Sequence, residues 1–304
     1  MGRITVRRRV TRVTVGGGAV RREDLLAVEE PLEIRVGGKA LAITMRTPGH
    51  DFDLAAGFLV SEGVVSRAEH FAAARYCAGA PVDGENSYNV LDVTLGPGVP
   101  APDPSLERNF FTTSSCGLCG KASIDAVRTL SAYAVAEDDL RIDAELLAAF
   151  PDRLRAGQDV FEKTGGLHAA ALFDGSTGEL FVLREDVGRH NAVDKVVGWA
   201  LTLGLLPLRG MVLMVSGRAS FELTQKASMA GIPFLAAVSA PSSLAVELAA
   251  EIGMTVVGFL RGQSMVVYSG EERLVSGVTT EAPDSREKPG SREKPGSREK
   301  AVAK

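Results

Sequence analysis

An α/β fold, a mixed or parallel sheet covered by helices with a smaller α+β unit ahead of it, follows from two features of this 304-residue sequence. Over residues 191–259, short apolar runs alternate with amphipathic helical stretches, which predicts a parallel sheet covered on both faces. Over residues 30–95, period-two alternation brackets a single helical stretch, as in a small α+β unit. Hydrophobic residues make up 45% and charged residues 24%, so a chain of this length can bury a sizeable core.

The elements read in order as follows. Residues 1–24 form a strand-rich, partly loose arm broken at Gly16-Gly17-Gly18. Leu32, Ile34 and Val36, then Leu41 and Ile43, alternate across Gly37-Gly38 and predict a β-hairpin. Asp51 to Ser61 has helical spacing, with Phe52, Ala55, Ala56 and Leu59 on one face. Tyr88 to Leu95 returns to a strand, and Pro97 to Pro104 is a connector. Asn109 to Tyr133 runs from a loop with two cysteines into a helix, and a second helix covers Asp143 to Arg155. His168–Phe173 and Glu179–Leu183 flank the turn residues 174–178 as a hairpin. Helices at 191–203, 221–230 and 242–252 then alternate with strands at 211–215, 234–238 and 255–259, and a last strand covers 265–268. The predicted organisation is an arm (1–27), a smaller α+β domain (28–108), an α/β domain (109–280) and a tail (281–304). In that tail Ser-Arg-Glu-Lys-Pro-Gly occurs twice and a third copy begins, a composition that predicts disorder.

The net charge of −4 argues against nucleic acid as the main partner, and Arg7-Arg8-Arg9 and Arg21-Arg22 read as solvated faces. Three cysteines are too few for a disulfide framework. The N-terminus lacks the apolar core of a signal peptide, and no run is long enough to span a membrane. A cytoplasmic protein is the expectation.

Ser115-Cys116-Gly117-Leu118-Cys119-Gly120-Lys121 is the sharpest chemical signal. At a helix start, free N–H groups and the helix dipole lower a cysteine's pKa and favour a nucleophilic thiolate. Half of a zinc site is the competing reading. No second Cys-x-x-Cys exists, and a zinc deaminase needs His-x-Glu where the sequence has His168-Ala169-Ala170, so no bound metal is expected. Cys77 reads as a buried or inert thiol.

Two strand-to-helix turns form a second constellation. Ser216-Gly217-Arg218-Ala219-Ser220 and Ser239-Ala240-Pro241-Ser242-Ser243 both fall at the carboxyl edge of a parallel sheet, where ligands bind. Hydroxyls and free N–H groups there suit phosphates, with plain N-capping by Ser220 and Ser242 as the alternative. Asp186, Arg189, His190 and Asn191 read as a site wall, and His168 as either a core or a functional histidine.

These motifs, with Thr164-Gly165-Gly166-Leu167-His168, Met45-Arg46-Thr47-Pro48-Gly49 and Gly57-Phe58-Leu59-Val60-Ser61-Glu62-Gly63, resemble the FdhD family of formate dehydrogenase accessory sulfurtransferases, in order from about Val28 to Tyr268. The resemblance implies a cytidine-deaminase-like fold with a small extra domain, usually dimeric. It implies sulfur taken from a cysteine desulfurase onto Cys116, with Cys119 assisting, and passed to the molybdenum bis-guanylyl cofactor before formate dehydrogenase takes it. It also implies cofactor contacts from Phe259-Leu260-Arg261-Gly262-Gln263-Ser264. Together with Ser216, Gly217, Arg218, Ser239, Ser242, Ser243, Arg189 and His190, that segment is the expected cofactor-binding set, and a GDP-like nucleotide would mimic the cargo. A homodimer is expected, with no nucleic-acid or membrane partner. Two rivals stand beside this reading: a zinc-dependent deaminase-like hydrolase, and a non-catalytic chaperone of the molybdenum cofactor.

Overall fold

The computed structural model describes residues 4–77, 88–103 and 131–275. The loop with Cys116 and Cys119, the helix expected after it and the repeat tail lie outside the described residues.

The arm is an antiparallel hairpin, β1 (Thr5–Thr14) and β2 (Gly18–Ala27), paired without a break from Thr5↔Ala27 to Thr14↔Gly18. Next come β3 (Glu30–Val36) and β4 (Lys39–Arg46), joined at Gly37 and Gly38, both at positive φ as a two-residue hairpin turn requires. Helix α1 (Asp51–Ser61) follows, then β5 (Phe71–Tyr76) and β6 (Val90–Leu95). The four-stranded sheet has the order β4-β3-β6-β5, with β3 and β6 parallel. Along α1 the buried stripe is Leu54, Ala55, Ala56, Leu59 and Val60, whereas Phe52 is exposed and meets Tyr76 edge-on.

The second half begins with β7 (Ile142–Asp143), α2 (Ala144–Ala148), α3 (Phe150–Ala156) and α4 (Asp159–Thr164). The single helix expected over 143–155 is thus two. Pro151, which has no N–H to donate, sits in the first turn of α3 and restarts the helix there. Asp143 caps α2 by accepting the Glu145 N–H at 2.7 Å. The remaining elements are β8 (His168–Asp174), β9 (Leu180–Asp186), α5 (Arg189–Thr202), β10 (Met211–Val215), α6 (Phe221–Met229), β11 (Phe234–Ala237), α7 (Ser243–Glu251), β12 (Thr255–Arg261), β13 (Ser264–Ser269) and β14 (Leu274–Val275).

The large sheet has the order β13-β12-β11-β10-β8-β9. β9, β10, β11 and β12 run in one direction, and only β10, β11 and β12 pair as parallel neighbours; β8, between β9 and β10, and β13, at the far edge, run opposite to them. The sheet is therefore mixed around a parallel centre, as the expected mixed or parallel sheet allows.

Alternate residues feed two cores. Ala170, Leu172, Leu213, Val215, Leu235 and Ala237 pack toward α1, α5 and α6. Ala169, Ala171, Phe173, Val212, Met214 and Phe234 pack toward Leu147, Phe150 and Leu154, with the Phe150 and Phe173 rings stacked at 4.1 Å. The first core continues through α1 into Leu32, Ile34, Leu91 and Val93 of the small sheet, so the two sheets share it. That continuity depends on α1 crossing α5 at close range. A Cβ on Gly57 would overlap the Asp194 carbonyl, and one on Gly198 the Asp53 carbonyl.

Candidate functional site

The carboxyl edge of the large sheet gathers most of the polar motifs. Because β8 runs opposite to β10, its first residue, His168, lies where β10 ends; β9, antiparallel to β8, brings Asp186 to the same edge. Helix α5 begins there as well, with Arg189 and His190 in its first turn.

The loops after β10, β11 and β12 are stitched together. Ala219 and Pro241 form a parallel bridge, and Ser242 N–H donates to the Ala219 carbonyl at 2.9 Å. Phe259 N–H donates to the Ser239 carbonyl at 3.3 Å. Gly258 permits this approach, since a Cβ there would stand 2.9 Å from Pro241 Cδ and 3.1 Å from the Ser239 oxygen. Phe259 itself takes φ 50°, a left-handed conformation rare outside glycine.

The expected cofactor-binding residues all lie among the described residues, whereas Cys116 and Cys119 do not. Ser216 Oγ accepts the Ala169 N–H at 2.8 Å, and the Ser216 N–H returns to the Ala169 carbonyl at 3.0 Å, so its hydroxyl extends the ladder. Gly217 lies against His168, whose Nδ1 would be 3.4 Å from an added Cβ. Arg218 is exposed. Ser220 and Ser242 are N-caps, accepting from Leu223 and Ala245. The capping alternative therefore holds for those two hydroxyls, while Ser239 and Ser243 flank the second turn. The leading N–H groups of α5, α6 and α7, which have no intrahelical acceptor, fall at this one edge. Arg261, Gly262, Gln263 and Ser264 are exposed at the β12–β13 turn. The Leu260 side chain is fully buried in the second core, so it can offer a ligand only its backbone.

The charged groups divide by burial. His190 Nε2 stands 2.6 Å from Glu222 Oε2, and that contact, more than Lys226 or Arg189 nearby, holds the Glu222 carboxyl below the usual range. Burial lowers the pKa of His168, helped by the neighbouring Arg189 and His190 and opposed by Asp186. The wall expected from Asp186 and Asn191 is instead internal scaffolding. Asp186 pairs with Lys195 at 2.7 Å and accepts from Thr47 N–H, Gly188 N–H and Asn191 Nδ2 at 3.1, 2.8 and 3.0 Å. Asn191 also donates to the Met45 carbonyl, and Lys195 to that of Thr47. This network fastens the end of β4 to the start of α5. Arg46, equally buried, pairs with Asp51 and Glu30 and reaches Asn89.

What sequence reasoning did not supply is the pairing of Glu222 with His190 and the left-handed backbone of Phe259. A carboxylate two positions after the N-cap Ser220 could have signalled the first; nothing local signals the second. Cys77 is a half-buried free thiol. Among the described residues no three His, Cys, Asp or Glu side chains converge as metal ligands, and no helix is long and apolar enough to cross a membrane.

Comparison with known proteins fits this arrangement. Residues 27–275 match the model of the FdhD/NarQ family. A protein of Streptomyces avermitilis named sulfur carrier protein FdhD is 66% identical over 90% of this chain and 97% of its own length. Its namesake in Mycolicibacterium paratuberculosis is 60% identical over 89% and 99%. A crystal structure described as a formate dehydrogenase accessory protein, from Desulfotalea psychrophila, has the same fold, with a TM-score of 0.69 at 22% identity over 90% of this chain and all of that one. With a family model spanning nearly the whole described chain and relatives this similar along their full length, the chain belongs to the FdhD/NarQ family.

Proposed function

We propose that this chain is a cytoplasmic sulfur carrier that serves formate dehydrogenase, taking sulfur from a cysteine desulfurase onto Cys116 and delivering it to a bound molybdenum bis-guanylyl cofactor. The Cys116 thiolate attacks the outer sulfur of the desulfurase persulfide. The donor's S–S bond breaks, its cysteine leaves as thiolate, and Cys116 holds the new persulfide. The cofactor is the substrate of the second step, in which Cys119 assists.

The stitching of the three loops at one sheet edge carries this reading. It sets the leading N–H groups of α6 and α7 beside Arg218, with the start of α5, Arg189 and His190 across the edge. Such a cradle suits a diphosphate, and a guanine dinucleotide presents one. The Arg261–Ser264 turn adds a polar rim. Its relatives' name, sulfur carrier protein, supports the transfer role.

Two measurements test the proposal. Incubation with a cysteine desulfurase and cysteine should add a reducible mass of about 32 Da, one sulfur atom, at Cys116. GDP binding by calorimetry should weaken roughly ten- to a hundred-fold in Arg218→Ala, the loss of a charged hydrogen bond. Cys116 loading should survive that substitution. GDP binding without any loading of Cys116 would favour a non-catalytic cofactor chaperone, and equal GDP affinity in both proteins would move the cofactor elsewhere.

A further inference from the structure

Two histidines stand at the site edge. His190 belongs to the cradle proposed above, and His168 has no task in it. Yet His168 lies between the two halves of that cradle. On one side is the first serine turn, with Gly217 so close that an added Cβ would come within 3.4 Å of His168 Nδ1 and 3.6 Å of Cε1. On the other are Arg189 and His190 of α5, near enough to act on its proton equilibrium. Ser216 ties the strand end to the turn by accepting the Ala169 N–H at 2.8 Å.

The groups around this ring are engaged, and the ring is not. His190 stands 2.6 Å from Glu222, a carboxylate that Lys226 and Arg189 also face. The Asp186 carboxylate, opposite His168 in the β8–β9 ladder, is taken up by Lys195, by the Thr47 and Gly188 N–H groups and by Asn191. Arg218, next to Gly217, is exposed. Among the described residues the half-buried His168 side chain forms no hydrogen bond or ion pair. Arg189 forms no ion pair among them either, and its Nε is buried without a hydrogen-bond partner. An unpartnered imidazole beside a cation that lacks a counter-ion is an arrangement that suits an anion.

Burial, with Arg189 and His190, holds the His168 pKa below the usual histidine value against the pull of Asp186. Near pH 7 the imidazole is therefore mainly uncharged in the free protein. A diphosphate between the serine turn and Arg189 reverses that balance. Its negative charge offsets Arg189 and favours the imidazolium directly.

We propose that His168 is the proton-linked ligand of this cradle, an imidazole that takes up one proton as a diphosphate settles between Gly217 and Arg189 and returns it when the diphosphate leaves. The assignment rests on the diphosphate cradle proposed above and adds to it a residue and a pH dependence. The sign is fixed by linkage. A site that gains a proton on binding holds its ligand more tightly as pH falls, by up to about tenfold per unit between the free and bound pKa values. A histidine that only fills space would titrate alike with and without the ligand.

The test follows the histidine ring C–H resonances of the full chain by NMR from about pH 5 to pH 9, a span that brackets the ordinary histidine value. His168→Asn assigns the resonance. GDP should raise the His168 midpoint by at least about one pH unit, a tenfold gain in proton affinity. Inorganic pyrophosphate should act in the same direction, and guanosine should leave the midpoint where it was. Calorimetry in two buffers of different ionisation enthalpy gives the proton count at about pH 7.5, above the second phosphate pKa near 6. GDP binding should take up protons in the wild type and in His190→Asn, and none in His168→Asn. A His168 midpoint unmoved by GDP, a shift produced by guanosine, or undiminished uptake in His168→Asn would overturn the assignment while leaving the cradle in place. Failure of GDP to bind the wild type at all would overturn the cradle and the assignment together.

Discussion

Replacing Lys195 by methionine is the most informative single perturbation of the scaffold under the site. Asp186 and Lys195 are 0% and 1% exposed and 2.7 Å apart. Methionine fills much of the lysine stem's volume but leaves the Asp186 carboxylate buried without its counter-ion, and stranding one partner of a buried pair costs about 3–5 kcal/mol. The substitution also frees the carbonyl of Thr47, to which Lys195 donates at 2.9 Å. A pH signature separates this from lost packing. Burial already pushes the Asp186 carboxyl up, against the pull of Lys195 and the N–H groups around it, and losing the lysine raises it further. A carboxyl whose folded pKa exceeds its unfolded value, about 3.9, is favoured by folding while protonated. Its stability contribution is full below that unfolded value and falls by about 1.4 kcal/mol per pH unit until the folded pKa is passed. The deficit of Lys195→Met in urea unfolding should therefore be small near pH 4 and grow toward pH 8. Adding Asp186→Asn should recover part of it at neutral pH, and the double-mutant cycle measures the coupling. A deficit under about 1 kcal/mol, or one flat in pH, would refute a charged buried pair.

Three further outcomes follow. Gly198→Ala places a methyl against the Asp53 carbonyl at the α1–α5 crossing, and overpacking against backbone should cost about 1–3 kcal/mol in thermal unfolding with no change in secondary structure. Glu222→Gln should lower stability slightly at neutral pH, by under about 1 kcal/mol for a half-exposed pair as read by thermal unfolding, and the difference should disappear at acid pH. The sign follows from the depressed carboxyl: its contribution is present above the unfolded pKa and lost as pH falls through the folded one. Tyr76, which donates to Asp51 at 3.0 Å and is pushed up to about 12 chiefly by burial, should be missing from the phenolate absorbance that develops by pH 11, and Tyr76→Phe should leave that absorbance unchanged.

Periodicity sufficed wherever an element shows a clean buried stripe. The spans of α1 and β10 match their expected limits, and α5, α6, α7, β11 and β12 fall within a few residues of theirs. Phe71–Tyr76 escaped because its sequence, Phe-Ala-Ala-Ala-Arg-Tyr, carries almost no hydrophobic contrast; pairing with β6 makes it a strand. Helix α4 escaped because it is six residues long and buries none of them. At the site, turn chemistry brought the two serine turns to one edge in advance, since the carboxyl ends of neighbouring parallel strands must share an edge. The Asp186–Lys195 pair was not legible. Nine positions apart, the two meet only because β9 turns into α5 over a network closed by Thr47, more than a hundred residues upstream.

The glycine contact between α1 and α5 sets how this molecule can be divided and how it can vary. A helix whose two sides are claimed by different sheets belongs to neither alone, so expressing residues 28–108 by themselves would leave the α5-facing side of α1 wet. Exchange of the small sheet between relatives must carry both helices together, because a side chain gained on either one needs a compensating loss on the other. Change along these two segments is therefore paired.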